Sequence, residues 1–170
     1  PSSDQSTVNA LDTIARQANR MNRLISEISD SALVDAELVQ AKRDRFDLSV
    51  LINDIITNMT DSANGVQVVL NSKINPRIRF FGLPDRIAQV AVNLIENAIT
   101  FSPIKGTVNI ALKKSLKNTI ELIIEDSGPG IPESEMKKVF ERFYTNRVGK
   151  SFKKNSSGLG LYICKQIVEA

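Results

Sequence analysis

Between residues 8 and 41 apolar side chains recur in steps of three and four, at Leu11, Ile14, Ala18, Met21, Ile25, Ile28 and Ala32. This spacing predicts one long amphipathic helix with a heptad seam. Leu24 and Leu33 widen the seam into a bundle-facing stripe, and the pattern falters at Asp35. Such a helix fits two arrangements, packing on its own domain or standing as half of a helical hairpin. We favour the hairpin, because so long a helix wants more apolar surface than the remaining chain offers.

The charged stretch "QAKRDRF" reads as a connector and puts a domain boundary near residue 44. After it, Asp47 or Ser49 can cap a helix running to about Asn64, with Leu51, Ile52, Ile55, Ile56 and Met59 on its buried side. "VQVVLNSK" and "RIRFFG" read as strands, and "PDRIAQVAVNLIENAITF" as a helix with proline at its start. "GTVNIALKKSL" and "NTIELIIEDS" read as an antiparallel pair linked around Lys117 and Asn118. "PESEMKKVF" reads as a further helix, with acids first and lysines later as the helix dipole prefers. Residues 141 to 157 read as a basic loop and "GLGLYICKQIVEA" as a final helix. Helices and strands grouped without regular βαβ alternation indicate an α+β fold, with helices covering one face of a mixed sheet.

Composition narrows the chemistry. The 170 residues suffice for one domain plus an appendage, and 42% hydrophobic content supports a core. A net charge of +3 is too small to argue for nucleic acid or an anionic membrane. The absence of histidine removes His-based acid/base catalysis, His metal sites and the Ser/His/Asp arrangement together. The single cysteine, Cys164, sits among apolar neighbours and suits a small buried side chain in a reduced compartment. With no apolar run of about 18 residues and no signal peptide in "PSSDQSTVNA", the chain reads as soluble, while a larger parent is free to be membrane-bound.

On a helical projection at about 100° per residue, Ile87, Val90, Ala91, Leu94, Ile95, Ala98 and Ile99 form one arc, and Arg86, Gln89, Asn93, Glu96, Asn97 and Thr100 the other. The second arc is either a plain solvent face or a pocket wall. As a pocket wall, its uncharged amide oxygens suit a hydrated Mg²⁺, because they do not repel the phosphates it carries. In "EDSGPGIP", Asp126 stands just past a strand, with Gly128 and Gly130 after it. That is either a turn closing the strand or a place where backbone approaches a flat ligand and the carboxylate accepts from an exocyclic amine such as adenine's. In "SSGLGLYI", Gly158 and Gly160 offer bare amides and the positive end of a helix to an anion.

Two look-alikes fail. Ile163 occupies the third glycine of a dinucleotide fingerprint, and "VGKS" lacks the first P-loop glycine, because Tyr144 stands there. Arg142, Arg147, Lys150, Lys153 and Lys154, opposed by Glu141, form either a solvated loop or a lid whose cations meet phosphate. Confined to one loop, they do not call for nucleic acid.

Taken in order, "NLIENAITFSP", "EDSGPGIP", "VFERFY" and "SSGLGLYICKQIVEA" resemble the N, G1, F and G2 boxes of the bacterial sensor histidine kinases, within the wider gyrase, Hsp90 and MutL ATPase superfamily. The last two motifs are similar to those of alphaproteobacterial envelope and acid-stress sensors. The resemblance implies a two-layer α/β sandwich, the Bergerat ATP-binding fold, preceded by one long helix of a helical hairpin. On that reading residues 1–44 are the second helix of a dimerisation and phosphoacceptor hairpin, and 45–170 an ATP-binding catalytic domain truncated at its C-terminal end.

The resemblance also implies ligands and roles. ATP or ADP binds with Mg²⁺, for which Asn97 matches the metal ligand, and Asn93 the residue that helps fix metal and phosphates. Glu96 is a candidate to touch an incoming histidine. Asp126 matches the adenine-reading carboxylate, and Gly128 and Gly130 the glycines beside the base. Arg142 corresponds to a phosphate contact, and Gly158, Leu159, Gly160 and Leu161 to the lid's phosphate-binding end. The implied parent is a homodimeric inner-membrane kinase whose cytoplasmic domain passes the γ-phosphoryl group to a histidine and then to a response regulator.

Two positions depart from the pattern, Thr100 where many relatives carry lysine and Ser156 where a glycine is common. Having no histidine, this chain is expected not to phosphorylate itself. The alternative is a degenerate nucleotide-sensing or interaction module without kinase activity. An ATPase machine of the superfamily would usually carry a water-activating glutamate where Asn93 stands.

Overall fold

The computed structural model describes residues 42–115, 119–145 and 158–170. The heptad segment before residue 42, the link at Lys117 and Asn118, and Arg147, Lys150, Lys153, Lys154 and Ser156 of the basic loop lie outside the described residues.

The first described element corrects the sequence reading. The "connector" contains a strand, β1 (Asp44–Asp47), antiparallel to β3 (Arg79–Gly82), with Asp44 opposite Gly82 and Asp47 opposite Arg79. Besides this ladder, Phe46 packs against Phe80, edge to face with centroids 5.8 Å apart. A single apolar residue among charges leaves no alternation to read. Asp47 then caps α1 (Leu48–Gly65), its Oδ1 accepting from the amides of Ser49 at 3.0 Å and Val50 at 3.3 Å. Ser49, the other candidate cap, has a different task. Its hydroxyl donates to the Asn75 carbonyl at 2.8 Å and accepts from the Ile78 amide at 2.9 Å, tying the segment just before β3 to the start of α1.

The second sheet runs β2-β4-β5. β2 (Val69–Ile74) is parallel to β4 (Thr107–Lys114), which is antiparallel to β5 (Ile120–Asp126), so the sheet is mixed as expected. Alternate residues of β4, Val108, Ile110 and Leu112, are at most 1% exposed. They join Ile52, Ile55 and Ile56 of α1 and Ala91, Ile95, Ala98 and Ile99 of α2 (Pro84–Phe101) in one core. The other sheet face is polar. The Asn71 amide donates to the Asn109 side chain at 3.0 Å, and Lys113 pairs with Glu121 at 3.2 Å. Helices therefore cover one face, the α+β layering that the element order predicts.

"PESEMKKVF" is not a helix but two 3-10 turns, Glu133–Glu135 and Lys138–Phe140. Its charge order suits a helix, yet Met136 and Phe140 are exposed, so no buried stripe offsets the cost of nucleation. The last helix, α3 (Gly160–Glu169), buries Ile163, Cys164 and Ile167 with Leu159 in a second cluster against Val90 and Leu94 of α2. α2 is thus buried on two sides, against the sheet and against α3. Among the described residues no helix is long and apolar enough to cross a membrane.

Candidate functional site

Strand parity sets the direction of Asp126. It follows Leu122 and Ile124, which pack on the core beneath the helices, while Glu121 faces the opposite side with Lys113. At the end of β5, opposite Val108, Asp126 is exposed on the helix side of the sheet. Its Oδ1 accepts from the Gly128 amide at 2.8 Å, which orients the carboxylate. A Cβ at Gly128 would lie 2.6 Å from that oxygen and 2.7 Å from the Phe101 carbonyl, so only glycine lets this loop run against the last turn of α2. Gly130 adopts φ +73°, also a glycine conformation.

Asn93 and Asn97 stand one turn apart on α2, both half-buried, with Glu96 and Thr100 exposed beside them. A Cβ on Gly160 would sit 3.8 Å from Asn93 Cγ, so Asn93 abuts the first turn of α3. The Asn93 side chain also hydrogen-bonds Cys164. Burial pushes the Cys164 thiol up to about 11, with that bond and a backbone bond pulling the other way. Its Sγ lies 3.8 Å from the Val90 carbonyl. The projection identifies Asn93 as outside the sheet-facing arc, but it cannot show that a second helix lies there.

α3 begins without a side-chain cap, and Gly160 is its first residue. Leu159 is fully buried, so its side chain belongs to the core and only its backbone is placed to face a ligand; Leu161 is half-buried. Gly158 has φ +74°, and a Cβ there would come within 2.5 Å of the Tyr144 carbonyl oxygen. Its identity is therefore fixed by packing as well as by any anion. Arg142 lies over the rings of Phe143, at 5.2 Å, and Tyr162, at 5.8 Å. The Tyr144 phenol is raised by desolvation first, then by its hydrogen bond to Glu135 and the charges of Glu135 and Glu141.

Two of the expected groups are thus gathered at α2. The Asp126–Gly128 loop meets its C-terminal end at Phe101, and α3 meets it at Asn93, eight residues or roughly 12 Å away along the axis. Arg142 joins the second group through Tyr162. Glu96 is exposed, and Arg147, Lys150, Lys153 and Lys154 of the basic loop lie outside the described residues. Among the described residues no three of His, Cys, Asp and Glu converge as a metal cage. Neutral amides fit a Mg²⁺ that arrives with phosphate oxygens and keeps several waters.

The family model described as "Histidine kinase-, DNA gyrase B-, and HSP90-like ATPase" matches residues 82–170, and the chain belongs to this family. Within it, the chain carries the ATP-binding domain of the sensor histidine kinases. It is similar to the sensor protein ChvG of Rhizobium meliloti (strain 1021), at 39% identity over 98% of this chain and 30% of that protein. Among solved structures, the mycobacterial sensor histidine kinase MprB is 29% identical over 75% of this chain and 79% of that one, with a TM-score of 0.65. The catalytic domain of the histidine kinase ThkA is 28% identical over 75% of this chain and 80% of that one, with a TM-score of 0.66. The ChvG similarity agrees with the alphaproteobacterial character of the final motifs.

Proposed function

We propose that residues 45–170 are the catalytic domain of a sensor histidine kinase and that residues 1–44 supply one helix of its dimerisation and phosphoacceptor hairpin. The observation that carries this reading is the use of one wall, α2, by both glycine motifs: Gly128 packs at its C-terminal end and Gly160 against Asn93. A nucleotide laid along that wall has its base at Asp126 and its phosphates at the uncapped first turn of α3, where Gly158, Leu159, Gly160 and Leu161 supply backbone amides. Asn97, with Asn93, would hold Mg²⁺. When bound, the metal would neutralise phosphate charge as the γ-phosphoryl group departs.

The residues of this chain contribute position and charge. Asp126 accepts from the purine amine, Gly128 and Gly130 let backbone approach the base, and Arg142 faces phosphate. Glu96, exposed beside Asn97, meets the incoming histidine. With no histidine in the chain, the phosphoacceptor comes from the partner helix of the hairpin in the intact, homodimeric, membrane-anchored kinase, and a response regulator receives the group next.

The test is transfer from radiolabelled ATP. The intact kinase, with its histidine helix, should yield acid-labile phosphate, Asn97→Ala should lower it by about 100-fold or more, and this chain alone should yield none. If the intact protein binds ATP but never gives acid-labile phosphate, the domain is a nucleotide-sensing module, a reading that the exposed Thr100 at a usual lysine position favours. Steady hydrolysis by this chain would place it with the ATPase machines.

A further inference from the structure

Arg142 is held in an unusual way. Among the described residues its partners are two aromatic rings, with the guanidinium carbon 5.2 Å from the Phe143 centroid and 5.8 Å from that of Tyr162. The rings differ in firmness. Phe143 is 54% exposed, whereas Tyr162 is half-buried and packs on the cluster that joins α3 to α2. The two residues also sit on different elements: Phe143, at φ +64°, lies in the segment after the second 3-10 turn, and Tyr162 lies in the first turn of α3.

We propose that Tyr162 is a positioning residue, which holds Arg142 ready for the nucleotide's phosphates. The inference rests on the nucleotide reading of the site and adds to it a residue that the glycine motif does not explain. A guanidinium held over aromatic rings keeps N–H groups available, because the rings meet its charge and phosphate oxygens accept from its N–H rim. A free arginine must be ordered when ligand arrives, and ordering costs affinity; one already held against aromatic rings is ordered beforehand. The first turn of α3 touches Asn93 through Gly160 and Arg142 through Tyr162, so it couples the metal-side wall to the cation. Tyr162 needs only its ring for this role.

Calorimetric titration of Mg·ATP into the wild type, Arg142→Ala, Tyr162→Leu, Tyr162→Phe and the Arg142→Ala/Tyr162→Leu double variant tests the assignment, with each apo protein checked as folded by circular dichroism. Arg142→Ala should weaken binding about 10-fold, and Tyr162→Leu about 3- to 10-fold. Tyr162→Phe should stay within about twofold, and the double variant should bind no more weakly than Arg142→Ala. A Tyr162→Leu variant that binds like the wild type overturns the proposal. So does one whose loss persists in full on the Arg142→Ala background, since that loss would come from packing. A wild type that gives no heat with Mg·ATP overturns the nucleotide reading itself, an outcome distinct from either.

Discussion

Gly128 and Asp126 constrain one another. The loop amide is fixed by the carboxylate, and the missing Cβ lets the loop lie on the Phe101 carbonyl. Gly128→Ala pushes a methyl against backbone that cannot yield, and should lower stability by about 1–3 kcal/mol, measured by urea unfolding. Asp126→Asn keeps a carbonyl oxygen for the Gly128 amide but loses the charged acceptor. It should leave the melting temperature nearly unchanged and weaken adenine nucleotides about 10- to 100-fold. Cys164 supplies a prediction in pH. Its folded value of about 11 stands above the ordinary 9.0, so the unfolded chain loses its proton first. The thiol's contribution is complete below pH 9 and falls away as pH rises toward 11. Cys164→Ala should flatten that part of the stability profile, and an unchanged slope between those pH values would count against the buried thiol.

Which elements were legible depends on whether one segment carries its own signal. α2 declares itself through a proline at its start, a continuous apolar arc and an opposed polar arc, and it spans Pro84–Phe101 as read. β4 does the same by alternation. β1 does not, because its partners lie in a distant segment: it pairs with Arg79–Gly82, and Phe46 meets Phe80, 34 positions on. The segment at 133–140 misleads in the opposite sense, since dipole-matched charges without a buried face give turns. Within the site, residue types were readable but their neighbours were not: nothing local tells that Asn93 meets Cys164 or that Arg142 lies over Tyr162. Ser49 shows the same limit. Readable only as a possible cap, it bridges Asn75 and Ile78 from a buried position. Ser49→Ala leaves both backbone groups short of a partner and should cost about 1–3 kcal/mol, seen as a lower urea midpoint with an unchanged slope.

At the scale of the molecule, α2 is the shared wall between two packed clusters, one with the sheet and one with α3. In the proposed nucleotide site, that arrangement makes α2, backed by the core, one side, and loops with the start of α3 the other. The chain spans 30% of the length of ChvG. Whether a metal-bound nucleotide lies along α2 can be read from thermal unfolding with a non-hydrolysable ATP analogue. At a hundredfold excess over Kd the analogue with Mg²⁺ should add about 2–3 kcal/mol of stability, raising the melting temperature by several degrees. Chelation by EDTA should remove much of the rise, and Asn97→Ala should lose the same metal-dependent part while keeping the rest. An unshifted melting temperature at millimolar analogue would mean that α2 holds no nucleotide, and a full rise in Asn97→Ala that ignores Mg²⁺ would mean that Asn97 holds no metal.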